Sequence, residues 1–563
     1  MDCPDHPDEK FGPAGKQLLA PSGGTYGYDL MFKTTLLRFF DCQLLEQIQQ
    51  SYRQITGRLI PTRTLCDLSK KTLVRIELIH DKSGPRIKNV LDEQGGYILM
   101  LDSTFEDEPP FLFMAMDGIS GIILDRDYVP SESEDNIVAT LERIKTKYGL
   151  PLAVVRDGSD GLIKAISHVF PGIPQVSCQY HVLKNVGKAL FVDLYAELVS
   201  TMEKLRVVPA IARLCRSLEP AIESMPDRNR KCAQILYEKT LPPLAVEELL
   251  PLVTYAIGSW LLKTKSKAEK MPYPFELPYL EFFKGSEKAL PMTHRFVSNL
   301  GGAFRQYKPI NELETLLKRV VNDETIVRQV NLLKRLSEVF HQIRRILRLP
   351  QGTDLLKNAP TWNQQTTSDV RSSLASFLDK LEATISTLDR EGERRKRCEK
   401  VIAMLRKEFD GLFVPNPIVI RNDKPTEIAL PRTNNLLERT FWKILRVLTR
   451  LKSRKRVKQG LHLYGRSIAI LLNLKNSAYI RSVYPDGILI RLAEEENPSG
   501  VASTPYGIPQ DIKIPGKIPF EHVLDFANRA LPVIQRALDL PYDTPPPLHL
   551  PRVAGAANGL LPP

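Results

Sequence analysis

Apolar residues between residues 30 and 80 recur at helical spacing in two stretches. These are LLRFFDCQLLEQIQQSY and TRTLCDLSKKTLVRIELIH, and the turn GRLIP separates them. The second stretch opens at Thr62 or Thr64, where a threonine can cap a helix. Residues 26–90 are therefore predicted to form a helix-turn-helix module, and a helical hairpin that packs on the following domain fits the periodicity equally well.

Short apolar runs between Gly95 and His181 have the length and composition of buried strands. Three of them, YILMLD, FLFMAMD and GIILDRDYV, follow one another closely and predict an antiparallel meander. A helix over SEDNIVATLERIKTKYG, the strand PLAVVRD, a helix from about Ser159 and the strand PQVSC come next, which predicts parallel strands added through right-handed crossovers. This order is the ribonuclease H-like topology, and residues 95–190 are predicted to form the first part of such an α/β core.

Strand patterns disappear after about Val182, and long amphipathic helical stretches continue to about Asp423. They predict an all-α insertion over residues 191–425, which interrupts the α/β core. The other predicted regions are a flexible leader over residues 1–25, the last helices of the core over residues 426–480, and a proline-rich C-terminal extension over residues 481–563.

The composition narrows the class of protein. The 563 residues are 43% hydrophobic and 25% charged, which is typical of a soluble globular chain with several domains. The chain has no long uncharged apolar run and no signal-peptide pattern, so a cytoplasmic, nucleoid-associated protein is expected. Its seven cysteines are scattered without a CxxC pair, which argues against a disulfide framework and a four-thiolate zinc site. A net charge of +13 predicts an anionic partner.

Two aspartates lie where predicted strands end: Asp102 ends YILMLD and Asp157 ends PLAVVRD. Ligands of open α/β sheets bind beyond the carboxyl ends of strands, so the two side chains are expected to meet at one edge of the sheet. Neighbouring carboxylates repel each other unless a cation neutralises them, and Mg²⁺ prefers carboxylate and phosphate oxygens. The pair therefore predicts two Mg²⁺ or Mn²⁺ ions, an arrangement suited to phosphodiester cleavage.

Glu438 is the candidate for a third carboxylate. Thr433 or Asn434 can cap a helix in TNNLLERTFWKILRVLTR, which places Glu438 on the first or second turn. From Lys443 to Lys458 the chain carries eight Lys or Arg residues and no Asp or Glu, which favours contact with phosphates. The predicted basic stripe beside Glu438, at helical spacing, consists of Arg439, Lys443, Arg446 and Arg450.

The predicted partner is double-stranded DNA rather than a membrane. The opposite face of the Glu438 helix is expected to pack on the domain through Trp442, Leu445 and Leu448. In the helix-turn-helix module, Thr62, Arg63 and Thr64 would face the bases, and Lys70 and Lys71 would contact phosphates. Other acids compete with the predicted site residues, and turns or caps are expected for Asp117, Asp125, Asp127 and Asp160.

Residues 27–480 resemble the DDE transposases of bacterial and archaeal insertion sequences, within the Mutator-like group. The resemblance lies in LDSTFEDEPPFLFMAMDGISGIIL around Asp102, PLAVVRDGSDGLIKAISHVFPGIPQVSCQYHVLKNVGKAL around Asp157 and TNNLLERTFWKILRVLTR around Glu438. In that family a Cys-x-x-His pair follows the second aspartate and a helical insertion precedes the glutamate. This chain has Cys178-Gln-Tyr-His181 and the long helical block at those places.

The resemblance implies a catalytic triad of Asp102, Asp157 and Glu438 that binds the metal ions. It also implies cleavage and strand transfer at the inverted repeats of a mobile element, with target DNA as a second substrate. A homodimer is expected, because two element ends must be held together. Cys178, His181 and Asn434 are expected to support the structure around the site, and no zinc is predicted there.

Three alternatives remain open. One is a transposase-derived DNA-binding protein without catalysis, against which the intact triad argues. Another is a ribonuclease H-like nuclease, such as a junction resolvase, which would cut DNA without joining it. The third, an acid–base hydrolase with paired carboxylates, leaves the basic helix beside Glu438 without a purpose.

Overall fold

The computed structural model describes most of the chain up to residue 494. The described residues are 2–3, 6–10, 20–21, 24–104, 111–224, 246–269, 274–299, 307–350, 361–388, 392–421, 423–452 and 457–494. Most of the predicted leader and, after residue 494, the predicted C-terminal extension lie outside them. Two compact units are formed, one within residues 1–191 and 336–513 and the other within residues 192–335. Among the described residues, no helix combines the length and the apolar character that a membrane span requires.

The first unit opens with a small hairpin and four helices. Strands β1 (Asp2–Cys3) and β2 (His6–Lys10) pair antiparallel. The helices are α1 (Tyr28–Phe39), α2 (Leu45–Thr56), α3 (Thr62–Lys82) and α4 (Gly84–Glu93).

The start of α3 at Thr62 agrees with the sequence pattern. The first helical stretch, which was predicted as one helix, is instead divided into α1 and α2. Cys42, between the two helices, has a positive φ of 55°, which is rare for residues other than glycine. This conformation is incompatible with one continuous α-helix. The second half of α3 packs into the core of the sheet through Leu73, Ile76 and Ile79. That half is a helix packed on the following domain, as the hairpin alternative expects.

A five-stranded mixed sheet forms the centre of the first unit. Its strands are β3 (Ile98–Ser103), β4 (Phe111–Asp117), β5 (Ile123–Val129), β6 (Ala153–Arg156) and β7 (Gln175–Ser177). The spatial order is β5-β4-β3-β6-β7, with antiparallel pairing among β3, β4 and β5 and parallel pairing of β6 with β3 and of β7 with β6. The predicted meander and the two added parallel strands are confirmed.

The central strands of the sheet are buried on both faces, because helices pack against the sheet. Every residue of β3 and β6 is buried. Helix α5 (Glu134–Tyr148) connects β5 to β6, and α6 (Asp160–Val169) connects β6 to β7. Ser159 caps α6 by accepting a hydrogen bond from the backbone amide of Leu162.

The second unit consists of helices. Helix α7 (Gln179–Lys204) begins in the first unit and ends in the second. It is followed by α8 (Val207–Glu223), α9 (Val246–Glu269), α10 (Pro278–Asn299), α11 (Lys308–Val321) and α12 (Glu324–Ile346), which returns to the first unit. A mostly helical chain with one small mixed sheet agrees with an α/β core and a helical insertion.

The rest of the described chain belongs to the first unit. It comprises α13 (Gln364–Ser386), α14 (Glu393–Lys407), α15 (Phe409–Leu412), the hairpin of β8 (Ile418–Arg421) and β9 (Lys424–Glu427), α16 (Asn435–Lys452), α17 (Val457–Leu472), a 3₁₀ turn (Asn473–Lys475), α18 (Ser477–Val483) and α19 (Ile488–Glu494). The segment predicted as the insertion, residues 191–425, is therefore shared between the two units.

Candidate metal centre

The two predicted aspartates lie at the carboxyl edge of neighbouring parallel strands. In the register of β3 and β6, Met100 pairs with Val155. Asp102 and Asp157 each follow that pair by two residues, so they reach the same height along the sheet. Asp102 is almost fully buried and Asp157 is half-buried. This position results from the parallel register of the two strands, since Asp102 lies near the end of β3 and Asp157 directly follows β6.

Glu438 reaches the same region from the first turn of α16. Its backbone amide donates to the carbonyl of Asn434 (2.9 Å), and the Asn434 side-chain amide donates to the carbonyl of Leu101 in β3 (2.8 Å). The start of α16 is thus held against the strand that carries Asp102. The side chain of Asn434, which was predicted to support the structure around the site, connects α16 to β3.

A buried arginine fixes the loop that leads into α16. Arg432 is fully buried and donates to the carbonyl of Val414 (2.8 Å) and to the side chains of Thr367 and Asn416 (3.1 Å each). Its own carbonyl accepts a hydrogen bond from the backbone amide of Gln179 at the start of α7. The loop therefore joins the helices that carry Glu438 and His181.

Three side chains of this region could hold a metal ion. One ligand atom each from Asp102, His181 and Glu438 lies within 4.8 Å of the other two. Asp102 Oδ1 accepts a hydrogen bond from the backbone amide of Ser103, whereas Oδ2 is buried and has no hydrogen-bond partner among the described residues. A buried carboxylate oxygen without a donor is costly unless a cation binds it, so the donor set fits a divalent ion. Asp157 lies outside this group of three.

Burial raises the pKa of each carboxyl group of the site. Burial raises the pKa of Asp102 well above its usual range, and the negative charges of Glu438 and Asp157 raise it further. Burial also raises the pKa of Asp157 and of Glu438. Lys184 on α7 acts in the opposite direction on these last two. Buried carboxyl groups that lie this close to one another form a site whose negative charge favours a cation.

The sequence interpretation missed Glu132, a fourth carboxylate in the loop between β5 and α5. It accepts hydrogen bonds from the hydroxyls of Ser103 and Ser159, which are close in sequence to Asp102 and Asp157 respectively. Burial, followed by the negative charge of Asp157, raises the pKa of Glu132 to about 7. The surrounding sequence, SESED, has no strand end and no periodicity that distinguishes this glutamate from its neighbours.

Cys178 and His181 have different surroundings, although they lie one helical turn apart. The Cys178 sulfur accepts a hydrogen bond from the backbone amide of Asn434 (3.2 Å), and burial raises the pKa of its thiol to about 12. It is a buried structural thiol. His181 Nε2 lies 3.5 Å from Glu438 Oε1, and burial lowers the pKa of the imidazole to about 4. His181 therefore belongs to the site itself, which differs from the purely supporting role that was predicted.

The predicted basic stripe is exposed along its whole length. Arg439, Lys443, Arg446 and Arg450 all face solvent on α16. The prediction for the opposite face was wrong for Trp442, whose side chain is 60% exposed. Leu448 is buried and Leu445 is half-buried, as expected. The true core face of α16 is formed by Leu437, Phe441, Ile444, Val447 and Leu448.

The other predicted DNA contacts lie on α3. Arg63 and Lys71 are exposed, whereas Lys70 is half-buried and lies 4.0 Å from Asp67. These residues occupy the first half of the helix, in which Leu68 already contributes to the core.

The competing acids lie outside the group of Asp102, His181 and Glu438. Asp117 accepts backbone hydrogen bonds from Ile119 and Ser120, which makes it a turn residue as expected. Asp125 and Asp127 instead form ion pairs with Arg143. Asp160 is exposed in the first turn of α6.

No protein-family model matches the chain, and no curated protein matches it significantly. What the site can do therefore follows from its own chemistry.

Proposed function

We propose that the protein is a DDE transposase, which cleaves DNA at the inverted repeats of a mobile element and transfers the freed strand to target DNA. The observation that supports this proposal most directly is the convergence of Asp102, Asp157 and Glu438 at one end of the sheet. Two strand ends and a helix start, far apart in sequence, bring these carboxylates together, and Asp102 among them is buried.

The strand order adds support for a ribonuclease H-like core. Three antiparallel strands followed by two parallel ones, in the spatial order β5-β4-β3-β6-β7, agree with that topology. The first aspartate lies on the central strand and the second follows its parallel neighbour. In the sequence, the helical unit within residues 192–335 lies between these aspartates and Glu438. The transposases that the chain resembles carry their helical insertion at the same place in the sequence.

Within this proposal, Asp102, Asp157 and Glu438 would hold the metal ions, and the negative charges of Glu438 and Asp157 both act on Asp102. Bound Mg²⁺ or Mn²⁺ would neutralise the scissile phosphate and activate the attacking oxygen. Neighbouring groups orient the carboxylates: the Asn434 side chain fixes the start of α16, and the backbone amide of Ser159 donates to Asp157 Oδ1 (2.9 Å).

The basic stripe gives the DNA a path to the site. Arg439, Lys443, Arg446 and Arg450 extend from the turn that carries Glu438 along the exposed face of the same helix. Phosphates bound along α16 would lead a strand toward the carboxylates. A homodimer on paired element ends belongs to the same proposal.

The test is a cleavage assay. Purified protein is incubated with Mg²⁺ or Mn²⁺ and labelled DNA that carries the segments flanking its own gene, beside the Glu438→Gln variant. Glu312→Gln, at an exposed position of α11 in the second unit, removes one negative charge from a residue outside the candidate site and serves as the matched control. Defined nicks that expose 3′-hydroxyls and then join to target DNA are expected for the wild type and for E312Q, and not for E438Q.

Each contrary result identifies a different alternative. Cleavage that never proceeds to joining would favour a ribonuclease H-like nuclease. Binding of the end DNA without any cleavage, in either metal, would favour a transposase-derived DNA-binding protein. Activity of E438Q equal to that of the wild type would remove Glu438 from the catalytic site.

A further inference from the structure

The metal-binding position between Asp102 and Glu438 includes a nitrogen atom. His181 lies on the first turn of α7, and its Nε2 faces Glu438 Oε1 at 3.5 Å. Atoms that bind one metal ion at about 2.0–2.2 Å lie about 3–4 Å apart from one another. The observed separation fits two ligands of the same ion.

No competing hydrogen bond turns the imidazole of His181 away from the carboxylates. Its Nδ1 is buried and has no hydrogen-bond partner in the described part of the chain, and only 16% of the side chain is exposed. Asp102 Oδ2 is also buried and accepts no hydrogen bond from the described residues. The Nε2 atom that faces Glu438 and the buried Oδ2 of Asp102 supply a nitrogen and an oxygen ligand beside one glutamate, so these residues form a built site rather than a chance group of acids.

We infer that His181 is a direct ligand of the ion held by Asp102 and Glu438, and that this position selects a first-row transition ion such as Mn²⁺ over Mg²⁺. Mg²⁺ binds oxygen ligands in a rigid octahedron and gains little from an imidazole, whereas first-row transition ions accept nitrogen readily. Asp157 and Glu132, whose negative charges also act on Asp102, offer oxygen only. The two ions of the proposed site would then differ in chemical preference.

This inference rests on the metal chemistry of the proposed function, but metal binding is measured without DNA. The full chain, stripped of metal, is titrated with Mn²⁺ while EPR follows the free ion, and pulsed EPR then records nitrogen coupling in the bound ion. The variants are His181→Gln and His181→Asp. His168→Gln is the matched control, since His168 is exposed on α6 and is hydrogen-bonded to Glu134.

Nitrogen coupling is expected in the wild type and in H168Q, and it should be absent in both His181 variants. Affinity for Mn²⁺ should fall at least about tenfold in H181Q, since even partners outside the ligand sphere contribute about 10–100-fold. Affinity for Mg²⁺ should fall less. H181D should recover part of the Mn²⁺ affinity without nitrogen coupling, because a carboxylate replaces the imidazole.

Absence of nitrogen coupling in the wild type would overturn the inference. Because this measurement uses the wild-type protein, it does not depend on whether a variant folds. Coupling that survives in H181D would do the same. If nitrogen coupling is lost in the His181 variants but no DNA cleavage is found in any assay, the metal site stands. Only the proposed transposase function would then be overturned.

Discussion

Asp102 is surrounded by groups that disfavour its charge. It is 2% exposed, and the negative charges of Glu438 and Asp157 both act on it. Such a carboxylate destabilises the metal-free fold, and it stabilises the fold only when a cation binds. A sequence selected for stability alone would not retain this arrangement.

Replacing Asp102 by Asn is therefore expected to have opposite effects with and without metal. In EDTA, at a pH where the neighbouring acids are ionised, D102N should melt above the wild type, by about 1–2 °C for each kcal/mol, because the entropy of unfolding is about 2.1 cal/mol/K per residue and the first unit extends over residues 1–191 and 336–513. In saturating Mn²⁺ the order should reverse, because a ligand at 100 times its dissociation constant adds about 2.7 kcal/mol to the protein that binds it. Differential scanning calorimetry measures both. A wild type that melts higher in EDTA would contradict the prediction.

Glu132 provides a test by pH. Its pKa is raised from 4.5 to about 7 in the folded protein, so the folded state holds a proton that the unfolded chain releases. The stabilisation from this proton is fully present below pH 4.5 and is lost as the pH rises through about 7. In EDTA, the wild type should thus lose stability relative to Glu132→Gln over that window. Equal pH profiles for the two proteins in thermal melts would show that Glu132 ionises normally.

At this scale the sequence predicted some site residues and missed others for a physical reason. Asp102 and Asp157 end apolar runs, and the pairing of parallel strands then brings them together. Glu132 and His181 reach the site from a serine-rich loop and from a helix start, where no periodicity indicates which way a side chain points. Only the packing of those segments decides that.

At the scale of elements, α16 combines the candidate glutamate with the basic stripe. One face, with Phe441 and Ile444, is buried in the core, and the opposite face carries four exposed cations. The sequence predicted the stripe because like charges at helical spacing are visible in one dimension. It misjudged Trp442, since a large apolar side chain beside a narrow core face cannot be assigned to that face from spacing alone.

The stripe predicts a change in the salt dependence of DNA binding. Lys443→Ala with Arg446→Ala should weaken binding to any duplex and reduce the slope of log K against log salt by about two, at roughly 0.9 per phosphate contact. Arg213→Ala with Arg216→Ala removes the same charge from exposed positions of α8 and is the control. Fluorescence anisotropy at several salt concentrations measures the slope. Equal slopes for the two double variants would mean that DNA does not follow α16.

Across the whole first unit, the N-terminal helices are part of the core of the sheet. His80 on α3 lies within hydrogen-bonding distance of the Tyr479 hydroxyl (3.1 Å) and the Leu124 carbonyl (3.2 Å). The buried Arg126 of β5 pairs with Asp81 (2.7 Å) and Glu77 (3.2 Å) of the same helix. The periodicity of α3 predicted the helix and its start. It could not predict these contacts, which join residues distant in sequence.

Two buried isoleucines test whether α3 is part of the sheet core or belongs to a module that can unfold separately. Ile76 of α3 lies in the large core with the strands, whereas Ile48 of α2 lies in a small separate cluster with Tyr52, Ile60 and Leu65, and both isoleucines are fully buried. Each change to Ala should cost about 2–5 kcal/mol at its own site. We expect Ile76→Ala to lower the free energy of unfolding of the whole unit, and Ile48→Ala to loosen α2 while the sheet keeps its stability.

Hydrogen exchange measures this difference amide by amide. In I76A, protection should fall throughout β3, β4 and β6, because opening of α3 exposes the core beneath the strands that carry Asp102 and Asp157. In I48A, the loss should be confined to α1, α2 and the first turns of α3. If I76A leaves the sheet amides protected, α3 is a module that can separate from the sheet. If I48A instead weakens the sheet as strongly as I76A, the two clusters unfold together, and DNA contacts at Arg63 would be coupled directly to the stability of the metal centre.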